Sequence, residues 1–398
     1  MKLALSRWLH GVALGAVLTL SGCGSPPMAS HAEHPSTRAS QSAVGNGGPV
    51  QLTRIRMVSP LDGWGFTATA VVRTDDGGKV WLPATPANLH LTTNALGVTL
   101  PRIAAAFPTK NEAVIVVENA SGKAIHVYRT TNAGHRWTTT TVRVPRGIAA
   151  FDQGSRLSAQ FSTAQQGGVL VASQGFAGTQ YDAWLTTHDG GQQWHWWQNT
   201  PRNPTFEDVG AMGLNAAGFG VASVTVGLNS PRVLVTANGG RTWALESLPL
   251  PAGSSAYGVV QASRVTLGPS TAVWMWLSLV GERQPAQREW VFESTVDGGR
   301  HWQATPWTPA IPLSDSADGT AFWVLSHRLL FFVANSHGTE IWQWTSDSSW
   351  HRVSHLPVEQ IDSASFLPNG DGWIIGDTGN YQTTNGGATW QRFSPMLN

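Results

Sequence analysis

Cysteine is almost missing: the chain has 398 residues and a single cysteine, Cys23. One cysteine excludes an internal disulfide and any cysteine-built metal cage. Charge is scarce as well. Asp, Glu, Lys and Arg together make up 12% of the residues, about half the usual share. Long amphipathic helices need such residues on their wet face, so the chain is poorly suited to them. The net charge is +1, with no basic block and no acidic tail, so a nucleic-acid partner is not expected. Beyond the first twenty residues no apolar run is long enough to span a bilayer. There is no P-loop, no dinucleotide fingerprint and no Gly-x-Ser-x-Gly elbow. No histidine pair has ligand spacing with a third ligand beside it, so neither a cofactor nor a metal is expected.

What is abundant is glycine, at 43 residues, and tryptophan, at 20. That composition suits short strands joined by tight turns. Hydrophobic residues at 41% are enough for a sizeable core.

Residues 1–23 read as an export signal. Lys2 and Arg7 give a positive start, and an apolar run follows from Val12 to Leu20. The run ends in Leu20-Ser21-Gly22-Cys23, which resembles the bacterial lipobox. The resemblance implies cleavage before Cys23 and a lipid on its sulfur, anchoring the protein to the outer face of the cell membrane or its periplasmic side. Residues 24–49 are rich in Ser, Pro, Ala, His and Gly without hydrophobic period, which predicts a flexible tether.

From residue 50 to 398 one pattern recurs: Thr, any residue, Asp or Asn, any residue, Gly, two of any kind, Trp. The first copy is Thr74, Asp76, Gly78, Trp81, and the second carries Asn132, Gly134 and Trp137. The third carries Asp189, Gly191 and Trp194, and the fourth Asn238, Gly240 and Trp243. Asp297, Gly299 and Trp302 follow, and the last copy has Asn385, Gly387 and Trp390. A worn copy between these two keeps Asp347 and Trp350 but lacks the glycine and is shorter. The physics is that of a hairpin turn. The Asp or Asn oxygen accepts from backbone N–H groups ahead of it, Gly supplies positive φ, and Trp packs beneath. Apolar runs such as Ala113 to Val117 and Gly372 to Gly376 precede each copy, giving about four short strands per repeat.

These repeats resemble the Asp-box (BNR) repeats of sialidases, sortilin and related propellers. The last copy, with Asp371-Gly372-Trp373-Ile374-Ile375-Gly376 ahead of it, is similar to the photosystem II assembly-factor-like propellers. The resemblance implies an all-β chain, a seven-bladed β-propeller of four-stranded blades with Asp-box turns. It also implies that the boxes lie on outer turns as structural devices, since half of them carry Asn, which is neither acid nor base.

Three functions are consistent with this sequence. The first is a non-catalytic protein-binding or assembly scaffold at the membrane surface. Arg54 and Arg56, at i and i+2 on a predicted inner strand, would share one face, with Arg102 as a third member. The second is a sialidase-like glycoside hydrolase, but Arg54-Ile55-Arg56 lacks the proline of the Arg-Ile-Pro signature that such enzymes carry. The tyrosines are only Tyr128, Tyr181, Tyr257 and Tyr381, and Glu207 with Asp208 is the one adjacent acidic pair outside a turn. The third is a carbohydrate-binding propeller that stacks sugars on Trp196, Trp197, Trp274, Trp276 or Trp344. The first reading, with no catalytic residue, is the expectation taken forward.

Overall fold

The computed structural model describes residues 36–38, 47–93, 99–100, 102–119, 123–143, 156–161, 165–172, 182–198, 209–214, 218–224, 232–238, 243–248, 257–267, 273–281, 287–305, 308, 311–312, 320–325, 328–345 and 349–398. Strands are the regular elements throughout them, joined by turns and bends. Consecutive strands pair antiparallel into successive sheets. The first sheet runs Arg54–Met57, Gly63–Phe66, Val71–Thr74 and Val80–Pro83. The second runs Ile103–Ala106, Ala113–Glu118, Ala124–Thr130 and Arg136–Arg143. The third is Arg156–Phe161, Gly167–Ala172, Asp182–Thr187 and His195–Gln198. Val209–Leu214, Gly220–Val224, Arg232–Thr236 and Ala244–Ser247 make the fourth. Tyr257–Leu267, Val273–Gly281, Gln287–Thr295 and Gln303–Ala304 make the fifth. The sixth is Thr320–Leu325, Arg328–Asn335, Gly338–Trp344 and Trp350–Leu356. The seventh is Ile361–Phe366, Gly372–Gly376, Gly379–Thr383 and Gln391–Phe393.

Neighbouring sheets pack face to face, and the first, second, sixth and seventh bury both faces this way. Val114, Val116, Val127 and Val142 of the second sheet pack on Val169, Val171, Leu185 and Trp194 of the third. Trp64 and Phe66 of the first pack on Ile103, Ile115 and Trp137 of the second. The first strands of adjacent sheets touch one another, as Ile103–Ala106 does Arg156–Phe161 and Arg54–Met57 does Ile361–Phe366. They converge at the centre of a radial stack. The protein is an all-β β-propeller.

The ring is fastened at its ends. Met396–Leu397 lies parallel to Val80–Pro83 on the outer edge of the first sheet, and Gly48–Pro49 adds antiparallel outside it. Backbone bonds from Met396 N to the Lys79 carbonyl at 2.9 Å and from Asn398 N to the Trp81 carbonyl at 3.0 Å secure the last residues. The segment after the seventh sheet is thus stitched to the first, covering an edge that would otherwise be open.

One expectation needs correction. Seven like, four-stranded blades is too regular a picture. The first sheet has six strands, and the second and fifth have five. Two short strands also fall within residues 24–49. Ser36–Arg38 pairs with Thr138, Trp137 and Arg136 on the edge of the second sheet, and Gly48–Pro49 belongs to the first. Unpaired outer edges pair with any extended segment that comes near them in space.

Candidate binding site at the ring centre

The repeated turns come first, because they account for most of the residues that the sequence singles out. Thr74 donates its hydroxyl to Asp76 at 2.9 Å and accepts from Gly78 N at 3.1 Å. Asp76 in turn accepts from Lys79 N and Val80 N, both at 3.0 Å. Trp81 is fully buried and donates its indole N–H to the Gly78 carbonyl at 2.9 Å. The same circuit recurs around Asp189, Gly191 and Trp194, around Asp297, Gly299 and Trp302, and around Asn385, Gly387 and Trp390. Asn132 and Gly134 repeat it, but Trp137 reaches across to the Ala84 carbonyl at 3.0 Å, tying the second sheet to the first. Thr236 and Asn238 are bonded at 3.0 Å, while Gly240 lies outside the described residues, as do Asp347 and Cys23.

Each turn sits on its own sheet, so their acids never converge on one site. Their ionisation is explained by the turn. Asp297 is held well below the usual carboxylate range by its bond with His301 at 2.6 Å and by backbone N–H groups. Burial pushes Asp189 up, but the N–H groups of Gln193 and Gln192 and the Thr187 hydroxyl leave it net lowered. These are carboxylates spent on backbone donors, a structural use.

Arg54 and Arg56 do share a face. Ile55 and Met57, between and after them, are buried with Leu367, Trp373 and Ile375 of the seventh sheet. The arginines therefore point the other way, opposite Phe66 and Trp64 in the register. The Arg54 guanidinium stands 5.9 Å from the Phe66 ring centroid, a cation–π distance. Arg56 keeps access to solvent at the ring centre. Burial lowers the pKa of both groups. No ion pair with a carboxylate engages either one among the described residues. Two partly desolvated cations on one strand, with no carboxylate paired to them among the described residues, make an anion-binding feature.

Arg102 does not behave this way. It pairs with Glu118 at 3.4 Å on its own sheet. Tyr128 is buried and donates to the Asn88 carbonyl at 3.3 Å, and Tyr381 packs between the sixth and seventh sheets. Trp344 packs against the cluster of Trp290 and Phe331. Tyr181, Glu207 and Asp208 lie outside the described residues, as do the side chains of Tyr257, Trp196, Trp197, Trp274 and Trp276. Among the described residues no three His, Cys, Asp or Glu side chains are grouped to hold a metal, and no helix is long and apolar enough to cross a membrane.

Sequence reading missed two things. Ser363 and Ser365 accept hydrogen bonds from Ile55 N at 3.0 Å and Met57 N at 2.9 Å, directly behind the arginines. Serines at i and i+2 on a central strand were the available signal. Glu293 is fully buried, neither carboxyl oxygen has a hydrogen-bond partner among the described residues, and burial raises its pKa to about 8. It stands two residues before the turn threonine, where other repeats have Val72, Leu185 and Leu234. A lone acid in that apolar column was legible.

No protein-family model matches the chain, and no curated protein does. Solved structures do match. A puromycin-hydrolyzing peptidase of Mycobacterium tuberculosis is 12% identical, with a TM-score of 0.52 over 92% of this chain and 56% of that one. A prolyl endopeptidase is 11% identical, with a TM-score of 0.51 over 88% of this chain and 48% of its own. The chain spans about half the length of these two enzymes. The β-propeller domain of the Trilobed protease from Pyrococcus furiosus is 8% identical, with a TM-score of 0.46 over 87% of this chain and 98% of that one. At such identities the shared property is the β-propeller fold, and with it no activity.

Proposed function

We propose that the protein is an exported, lipid-anchored Asp-box propeller that binds a protein partner at the membrane surface without catalysing a reaction. The observation that carries this reading is the pair Arg54 and Arg56, two guanidiniums on one face of a ring-centre strand that make no ion pair among the described residues. A rigid disc with fixed cations at its centre is suited to an acidic protein segment, which it would orient by bidentate and electrostatic contacts. The lipid on Cys23 supplies the membrane half of the reading, and the turn chemistry of Asp76, Asn132 and their equivalents the Asp-box half. A glycoside hydrolase is the weaker alternative, since no acid–nucleophile pair accompanies the arginines among the described residues.

Fractionation of native cells, followed by crosslinking and purification from the membrane, tests it. Wild-type protein is expected in the membrane fraction with a protein crosslinked to it, and Cys23→Ala in the soluble extracytoplasmic fraction. Unchanged membrane association of Cys23→Ala, or turnover of a fluorogenic glycoside by the purified chain, would overturn the reading.

A further inference from the structure

We propose a second site, at the junction of the fourth and fifth sheets, that binds one neutral sugar ring. A cavity of about 300 Å³ opens there, lined by Val235, Asn238, Trp243, Ala244 and Glu246 of the fourth sheet and by Arg300 with the glycines of the fifth sheet's turn. The register explains how these residues meet. Ala244 pairs with Val235, so both lie on one face of the fourth sheet, and Glu246, two residues on, shares it. The turn of the fifth sheet docks on that same face, since a Cβ added at Gly299 would come within 2.9 Å of Val235. Arg300 follows that glycine and projects at the rim.

The chemistry of the lining is specific. An indole offers a flat apolar face for the C–H side of a sugar ring. A carboxylate accepts from hydroxyls and a guanidinium donates to them, so together they hold neighbouring hydroxyls of one ring. Glu246 and Arg300 are both exposed, and they make no ion pair with each other. Their charges cancel, which favours a neutral ligand over a sugar acid. The volume sits at the low end for ligand sites, enough for one ring rather than an extended chain.

The molecule carries its own control. The junction of the second and third sheets has an equivalent cavity, also about 300 Å³, built from the same positions of the repeat. There Arg129 stands where Val235 does, its guanidinium against Gly190, and threonines replace Ala244 and Glu246. That cavity has neither an aromatic ring nor a carboxylate in its lining. The two junctions share architecture and differ in sugar-binding chemistry. This site is independent of Arg54 and Arg56.

The test is saturation-transfer NMR and calorimetry on the full chain with free glucose, galactose, mannose, fucose and N-acetylglucosamine. At least one is expected to bind in the millimolar range or tighter. Glu246→Gln and Arg300→Ala, both at exposed positions, should each weaken it about tenfold or more, while Arg129→Ala and Arg54→Ala/Arg56→Ala leave it unchanged. Trp243→Ala should abolish it, but the two surface variants decide the matter if that protein does not fold. Failure of all five sugars to bind, or binding that survives Glu246→Gln and Arg300→Ala, would overturn the proposal. The latter outcomes leave the protein-binding reading of the ring centre standing.

Discussion

Ser365 accepts a hydrogen bond from the backbone N–H of Met57 at 2.9 Å, across 308 residues of sequence. Two residues away Ser363 does the same for Ile55 at 3.0 Å. The first and seventh sheets are thus joined at the ring centre by side chains, as they are joined at the outer edge by Met396–Leu397. Removing the Ser365 hydroxyl would strand a buried N–H. Ser365→Ala is expected to cost about 1–3 kcal/mol, read as a lower denaturant midpoint. An unchanged midpoint would show that the closure does not depend on this bond.

The turn tryptophans predict a graded series. Trp81 is fully enclosed, whereas Trp302 is half-buried. Trp81→Ala is expected to destabilise by about 3–5 kcal/mol, and Trp302→Ala by less. Chemical denaturation of both variants compares them. Equal losses would mean that burial does not set the contribution of the ring.

Ala133 is the one non-glycine residue with positive φ among the described residues, at 57°. The corresponding places in other turns hold Gly77, Gly190, Gly298 and Gly386. A left-handed alanine is strained by roughly 1 kcal/mol, so Ala133→Gly is expected to raise the melting temperature slightly. A fall would show that chain entropy outweighs the strain.

Glu293 predicts a pH dependence. Its carboxyl titrates near 8 in the folded protein, well above an ordinary carboxylate, because burial disfavours the charge. The folded state therefore holds its proton longer than the unfolded chain does. The stability linked to this proton is full below the ordinary carboxylate range and is lost as pH climbs from there to about 8. Glu293→Gln should flatten the melting temperature over that interval. If the two proteins keep parallel profiles, Glu293 does not control it.

Much of the fold was legible because the turn motif is a local device. Thr, Asp or Asn, Gly and Trp within eight residues encode a hairpin whatever surrounds them, and the bonds that link Thr74, Asp76, Gly78 and Trp81 all close within the segment. Closure was not legible, because Met396 pairing with Val80 is set by three-dimensional proximity and has no local signature. At the ring centre, period-2 alternation placed Arg54 and Arg56 on one face. It could not show that Arg102 is engaged by Glu118, a partner sixteen residues away. The sugar-site residues Glu246 and Arg300 stand on different sheets, and only the docking of one repeat's turn on the preceding sheet brings them together.

The central claim is that the ring-centre cations hold a protein partner. Crosslinking and purification from native membranes, performed in parallel on wild type and Arg54→Ala/Arg56→Ala at matched expression and melting temperature, tests it most directly. The account predicts a discrete protein recovered with wild type and reduced at least about tenfold with the double variant, the loss of more than one charge-assisted contact. Equal recovery of the same partner with both proteins would contradict it.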